Sequence, residues 1–199
     1  MPERAFFVYK MTTDNGGAPC VQDNLLTLAI CKPVIRRVAK VGDWIFGFGG
    51  NGELQNRLIY IAEVTGKLCG RIYYKDYSKR RDAIYKWSGG RFTLRRTAVY
   101  HADGNNINSD VGQYPGYKNA YVLLSDDFRY FGNTQYEYDE NLLSYVNQNR
   151  MRPHRTNFEA PQRSQLRRLK KKVWREYQEM KIGDPTHDTP DGRKRSCSG

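Results

Sequence analysis

Short apolar runs separated by turn-forming residues dominate the first 125 positions of the chain. Runs of this length, rich in β-branched and aromatic side chains, are typical of strands, whereas a helix needs a longer segment with a 3.6-residue period. The pattern predicts strands at 5–10, 42–50, 57–66, 71–74, 82–87, 92–96, 98–101 and 120–124. Asp23 and Asn24 can cap LLTLAIC, so a helix or bent helix pair is predicted over 24–40.

A different pattern begins near residue 150. Apolar side chains recur there at spacings of three and four, which predicts one amphipathic helix over 161–181. No acidic residue occurs between 163 and 175, and the predicted polar face carries Arg163, Arg167, Arg168, Lys170, Lys171, Lys172 and Arg175. The chain therefore divides into a domain over 1–149, a basic helix within 150–182 packed on or beside it, and a disordered tail over 183–199.

Charge points to the class of partner. The formal net charge is +12, and the last fifty residues hold 14 of the 33 Lys and Arg residues but 6 of the 21 acidic ones. An anionic partner is therefore expected, with nucleic acid ahead of a membrane surface. The basic helix could neutralise DNA phosphates, although a solvated helix face remains the alternative. No apolar run is long enough to span a bilayer, so a soluble, cytoplasmic protein is expected.

The cysteines predict neither a disulfide framework nor a metal site. Cys20, Cys31, Cys69 and Cys197 lack CxxC spacing and fit reduced thiols. Cys20 and Cys31 could be thiolate nucleophiles, but the sequence identifies no histidine partner, and small buried side chains are the commoner role. No glycine-rich nucleotide loop, metal-ligand cluster or Ser-His-Asp arrangement is evident, so no cofactor is expected.

The stretch YKMTTDNGGAPC at residues 9–20 is the first candidate site. Thr13, Asp14 and Asn15 offer donors and acceptors that could read a base edge, and Asp14 is also a candidate for catalysis. Lys10 precedes these residues at the end of the strand, Lys32 follows Cys31, and either lysine could contact phosphate or base. The alternative is an Asx-type turn whose side chains bond only their own backbone.

A second candidate site is the polar loop ADGNNINSD that follows His101. Asp110 could activate water or stabilise an oxocarbenium-like sugar, with His101 as helper; a solvent-exposed loop is the alternative. Trp44, Tyr74 and Asp126 are further candidates for base binding. The mixture of aromatic and basic residues over 73–87 favours a nucleic-acid groove, whereas alternation along the strand of Trp44 favours a core position.

Several motifs resemble known families. KVGDWIFGF, followed by a strand ending in EVTG, is similar to the core of PUA-like barrels. The longer motifs resemble a bacterial and phage family, the nucleotide modification associated domain, type two, over residues 6–132; they are YKMTTDNGGAPC, LAICKPVIR, GDWIFGFGGN, NRLIYIAEVTGK and VLLSDDFRYFG. Together with the strand pattern, the resemblance implies an α+β, PUA-like curled sheet or β-barrel with flanking helices. The charged tail lies outside the resembling segment.

The resemblance also implies a function. Members of the family are proposed to act with enzymes that make, read or remove modified bases in DNA, and PUA-like relatives swing a base into an aromatic pocket. The leading hypothesis is a base-flipping enzyme, such as a DNA glycosylase that removes a hypermodified base of the phage type through Asp110. A non-catalytic reader of modified DNA working with a partner enzyme or defence protein is the second hypothesis. An RNA-binding or tRNA-modification accessory is the third.

Overall fold

The computed structural model describes residues 4–50, 52–136, 138, 154 and 156–187 of the chain. These residues form ten strands and four helices. The strands are β1 Phe6–Met11, β2 Cys20–Gln22, β3 Leu25–Leu28, β4 Trp44–Gly49, β5 Leu58–Glu63, β6 Gly66–Cys69, β7 Tyr85–Ser88, β8 Arg91–Leu94, β9 Tyr121–Ser125 and β10 Asp127–Tyr130. The helices are α1 Pro33–Val38, α2 Gly70–Asp76, α3 Ile107–Val111 and α4 Ala160–Glu176.

The strands form two four-stranded sheets and one hairpin. The first sheet has the order β1-β4-β5-β10, with β1 and β4 parallel and the other pairs antiparallel. The second sheet has the order β2-β3-β9-β6 and is antiparallel throughout, and β7 pairs with β8. The predicted α+β curled-sheet architecture is confirmed, but the sheets form no closed barrel within the described part of the chain. No helix in that part is long and apolar enough to cross a membrane.

The helix predicted over 24–40 is wrong for its first half. Residues Leu25–Leu28 form β3, which pairs with β2 and β9, and only Pro33–Val38 are helical. Asp23 and Asn24, the predicted cap residues, are instead the two residues between β2 and β3, with φ of 52° and 55°. Two consecutive positive φ angles are typical of the tight turn of a hairpin. A short apolar run is compatible with either a strand or a helix, and here pairing with β9 makes it a strand.

Two of the predicted short strands are also wrong. Residues 71–74 lie inside α2, where Tyr73 stacks on Tyr77 with ring centroids 5.1 Å apart. In this segment two exposed residues are followed by two buried tyrosines, which fits a helical period better than strict alternation. Residues 98–101 form turns, and His101 adopts a left-handed φ of 48°. The remaining predicted strands each overlap an observed strand.

The first sheet separates two apolar clusters. Phe6 and Val8 of β1 face α4, whereas Phe7, Tyr9 and Met11 face the second sheet, as expected when successive strand residues point to opposite faces. The side chains of α4 that cover the first sheet are Leu166, Leu169 and Val173. The predicted amphipathic helix is therefore confirmed, although it ends at Glu176 rather than near 181.

The chain after α4 runs back along the first sheet. The backbone N–H of Ile182 donates to the carbonyl of Tyr130 in β10 at 2.8 Å. Asp184 accepts from the N–H of Asn133, and His187 donates to the carbonyl of Asp14. The tail predicted to be disordered thus begins with five residues that contact the domain, and its residues 188–199 lie outside the described part.

Packing of α4 on the first sheet should contribute strongly to stability. We expect Leu166→Ala to lower the free energy of unfolding by about 2–5 kcal/mol, since it deletes a fully buried side chain and leaves a cavity. The exposed Ser164 on the same helix provides the control, and Ser164→Ala should change stability by less than about 0.5 kcal/mol. Urea denaturation measures both, and equal midpoints for the two variants would contradict the packing.

Candidate active site

Cys31 lies in the turn that joins β3 to α1. Cys31 and Lys32 both have left-handed backbone angles, with φ of 55° and 41°. A strand-to-helix turn with a left-handed residue resembles, in its local backbone, the elbow that presents the nucleophile in many hydrolases. The residue lines a cavity of about 270 Å³ and is only partly buried. The thiol is therefore placed where a small ligand could reach it.

The Cys31 thiol faces His101, and His101 faces Asp110. The Sγ of Cys31 lies 3.5 Å from Nε2 of His101, and Nδ1 of His101 lies 2.6 Å from Oδ2 of Asp110. A carboxylate can only accept, so Nδ1–H donates to Asp110 and Nε2 is left as the atom that faces the thiol. A nucleophile, a base and a group that orients the base form the constellation of thiol and serine enzymes.

Asp110 is held by donors on both of its oxygens. The backbone N–H of Cys31 donates to Oδ1 at 2.7 Å, and the hydroxyl of Tyr85 donates to Oδ2 at 2.7 Å. Burial, followed by the negative charge of Asp110, raises the pKa of Tyr85, so its hydroxyl stays protonated and remains a donor. Because Asp110 is 1% exposed, its carboxylate can orient His101 but is not presented to solvent.

A fully buried arginine fixes the backbone around these three residues. The guanidinium of Arg36 donates to the carbonyl of Cys31 at 2.6 Å and to the carbonyl of Asp110 at 2.6 Å. It also donates to the carbonyls of Asn119 and Tyr121 at the start of β9. The rigid fork of donors in arginine suits such a set of acceptors. Arg36 thus ties the turn of Cys31, helix α3 and β9 to one another.

The cavity beside Cys31 has a mixed lining. Its walls are Met11, Thr12, Thr13, Ala18, Cys31, Lys32, Pro33, Val34, Ile35, His101, Asn106, Ser109, Asp110 and His154. Two sequence-predicted base-binding residues, Thr13 and Lys32, are among them. Asn106 occupies the N-cap position of α3, yet its side chain makes no capping hydrogen bond. A cavity of this size lies just below the range of sites for drug-sized ligands, so it suits a small group.

Asp14 and Asn15, the other two residues of the 12–15 stretch, do not line this cavity. Asp14 is buried and accepts from the hydroxyl of Tyr130 at 2.7 Å and from the backbone N–H of Thr186 at 3.2 Å. Burial raises the pKa of Asp14 above its ordinary value. Asn15 accepts from the N–H of Gly17, which is the Asx-type turn given above as the alternative. These side chains thus bind the protein's own backbone and C-terminal segment.

The other predicted base-binding residues do not line the cavity either. Trp44 is buried under α4 on the opposite face of the first sheet, and Lys10 donates to Asn56. Tyr74 is buried with its hydroxyl on the carbonyl of Ala29, so the tyrosines of this segment belong to the core rather than to a groove. Asp126 is exposed in the link between β9 and β10. The basic residues of α4 lie, like Trp44, on the face away from the cavity.

The same three residues could also hold a metal ion. One ligand atom from each of Cys31, His101 and Asp110 lies within 4.8 Å of the others. However, Nδ1 of His101 and Oδ2 of Asp110 are hydrogen-bonded to each other, and in a metal site that pairing leaves only Sγ and Nε2 as ligands. Structural zinc sites use four protein ligands. The geometry therefore fits a thiol and its base better than a structural zinc ion.

A comparison with protein families completes the description of the site. The model of the family described as nucleotide modification associated domain 2 matches residues 3–190. The chain belongs to this family. The match extends well beyond the segment 6–132 that carries the sequence resemblance, and it includes α4, which was expected to lie outside. No curated protein and no solved structure matches the chain. The PUA-like relationship therefore stays a prediction.

Sequence reasoning identified His101 and Asp110 as a pair but did not join Cys31 to them. Seventy residues separate Cys31 from His101, and no local spacing shows that they meet. The signal that could have pointed to Cys31 is the stretch LAICKP at 28–33, where an apolar run is followed by a helix that begins at Pro33. For this nucleotide modification associated domain 2 protein, that junction carries the candidate nucleophile.

Removal of the Arg36 guanidinium should disrupt the site and the fold together. We expect Arg36→Met to lower the free energy of unfolding by about 3 kcal/mol or more, because four backbone carbonyls lose a charged donor whose guanidinium is fully buried. The neighbouring Arg37 is exposed, and Arg37→Met should cost less than about 0.5 kcal/mol. Thermal and urea denaturation measure the difference, and similar values for both variants would show that Arg36 is not a structural tie.

Proposed function

We propose that this protein is a thiol-dependent enzyme of nucleotide modification that removes or transfers an acyl group carried by a modified base. The observation that carries the proposal is the contact of Cys31 Sγ with His101 Nε2, with Asp110 behind the imidazole. Family membership supplies the association with nucleotide modification. The acyl chemistry is inferred from the thiol, its base and the group that orients the base.

The proposed reaction has two steps. His101 takes the thiol proton of Cys31, and the sulfur attacks the carbonyl carbon of an amide or ester on the base. The bond to the amine or alcohol then breaks, and the leaving group takes the proton from His101. Water, activated by the same imidazole, attacks the resulting thioester and releases the carboxylic acid, which restores the thiol. Asp110 keeps the imidazole in the required tautomer throughout.

The developing negative charge on the carbonyl oxygen needs donors. The backbone N–H of Cys31 donates to Asp110, so it is not available for this purpose. Side chains in the cavity wall are the alternative, and Asn106 is the candidate because it lines the cavity and its amide makes no capping bond. A removed donor of this kind typically costs about a hundredfold or more in kcat. Asn106 is therefore proposed as the oxyanion donor.

The second candidate function is the N-glycosidic cleavage predicted from sequence. Its support is the placement of Asp110 beside a cavity with Thr13 and Lys32 in the wall. Its weakness is that both oxygens of Asp110 accept hydrogen bonds and the residue is almost fully buried, whereas a glycosidase carboxylate must approach the sugar. We therefore rank acyl chemistry by Cys31 above glycosylase chemistry by Asp110.

Thiol reactivity tests the proposed nucleophile without any knowledge of the substrate. We expect iodoacetamide to alkylate Cys31 faster than the exposed Cys69 at about pH 6, because Nε2 of His101 accepts the thiol proton and the resulting imidazolium stabilises the thiolate. His101→Asn should remove this advantage while Cys69 keeps its rate. Peptide mass spectrometry measures both rates, and metal analysis of the same samples reports whether a bound ion protects the thiol. Equal rates for both cysteines in the metal-free protein would contradict the proposal.

The reaction itself is tested on DNA that contains ordinary, hydroxymethylated, glucosylated or amide-decorated bases. Loss of the acyl group, detected by nucleoside mass spectrometry, should occur with the wild-type protein and vanish in Cys31→Ser. Brief acid quenching should trap the acyl group on Cys31 as a thioester. Abasic sites that persist in Cys31→Ser and disappear in Asp110→Asn would overturn the thiol mechanism and support the glycosylase.

A further inference from the structure

Helix α4 exposes a row of cations on the side that faces away from the sheet. Arg168, Lys171, Lys172 and Arg175 are exposed and follow the spacing i, i+3, i+4 and i+7, so they lie along one face. We name these four residues the cationic stripe. At 1.5 Å per residue the stripe is roughly 10 Å long, about three base-pair steps of a duplex.

The stripe is not neutralised by neighbouring acids. Within the described residues, Arg168, Lys171 and Arg175 form no salt bridge. The acids that contact the helix have other partners: Glu159 belongs to the capping box, Asp127 accepts from the indole N–H of Trp174, and Glu176 accepts from the hydroxyl of Tyr136. A helix face used only for solubility commonly mixes both signs of charge. A single-sign stripe of this kind instead favours an anionic partner.

Other cations of the helix have a structural role that can be separated from the stripe. Lys170 lies over the rings of Trp44 and Trp174 at 4.4 and 4.7 Å, and Arg167 lies over Phe6 at 5.6 Å. Phe6 and Trp44 are buried rings of the first sheet, and these cations cover them. Arg167 and Lys170 are therefore excluded from the stripe, although the sequence pattern had grouped all seven residues as DNA contacts. Lys172 lies over the ring of Tyr136 at 5.5 Å, and it is kept in the stripe because it is exposed.

The shape of the surface restricts the partner. Grooves lie on both sides of the helix and share Lys171; one contains Arg4 and has a volume of about 380 Å³, and the other contains Tyr138 and has a volume of about 490 Å³. The apolar side of α4 is buried against the sheet, so the helix has no apolar face to insert into a membrane. A ridge of cations flanked by grooves suits a polyanion with regularly spaced charges.

We propose that the cationic stripe binds the phosphodiester backbone of duplex DNA without regard to sequence. Phosphate contacts by Lys and Arg position a protein on a duplex and carry no base information. The stripe lies on the face of the first sheet opposite to Cys31, so it acts as an anchor separate from the cavity. This inference does not depend on the reaction proposed for Cys31.

The test is a charge-matched comparison of two triple variants. Arg168→Ala, Lys171→Ala and Arg175→Ala remove three charges from the stripe; Lys40→Ala, Arg96→Ala and Lys118→Ala remove three exposed charges from elsewhere. Binding of a labelled duplex of about 24 base pairs is followed by fluorescence anisotropy between about 50 and 200 mM salt. The stripe variant should bind at least tenfold more weakly, and its log–log salt slope should fall by about 2–3. The control variant should retain the wild-type slope.

Two further measurements keep the result interpretable. The variant Arg168→Lys, Lys171→Arg and Arg175→Lys keeps the charge and should bind like the wild type, and the alkylation rate of Cys31 should be unchanged in all variants. Equal losses in the stripe and control variants would overturn the proposal, because binding would then follow net charge alone. Stronger binding to duplex RNA or to anionic vesicles at matched salt would overturn the assignment to DNA.

Discussion

The candidate site depends on the hydrogen bonds that the buried carboxylate of Asp110 accepts. This carboxylate joins the turn of Cys31, the β7 residue Tyr85 and the loop of His101, which lie far apart in the sequence. A buried carboxylate is costly unless its oxygens are hydrogen-bonded, so these donors and the acid stabilise one another. Arg36 extends the same network to β9. The site is therefore part of the core, and the packed side chains around it hold Cys31, His101 and Asp110 in position.

Sequence patterns predicted the parts of the fold that have a clear period. The 3.6-residue spacing of Leu166, Leu169 and Val173 gave α4, and long apolar runs gave β1, β4 and β5. The pattern failed where a short run fits either element. Leu25–Leu28 are a strand because β9 supplies hydrogen bonds, and residues 71–74 are helical because Tyr73 and Tyr74 are buried on one side. Contacts with distant parts of the chain determine the secondary structure of such segments, and the local sequence does not show those contacts.

The candidate site shows the same limit at the level of single residues. The polar loop after His101 identified Asp110 because that loop is local, but the cysteine that completes the group comes from a different strand-to-helix turn. Thr13 lines the cavity as predicted for the 12–15 stretch, whereas its neighbour Asp14 is occupied by Thr186 and His187, which return from the other end of the chain. Residue type indicated which side chains have reactive or polar groups, but tertiary contacts determine which of those side chains reach the cavity.

The first sheet also limits how the cavity and α4 could share one nucleic acid. Phe6 at the start of β1 packs under the helix, and Met11 at the other end lines the cavity on the opposite face. Five residues of strand cover roughly 17 Å, and the thickness of the sheet adds to that separation. A straight duplex on the cationic stripe therefore could not place one of its own contacted nucleotides beside Cys31. Selectivity for a modified base would have to come from the cavity wall, with the stripe adding affinity that falls steeply with salt.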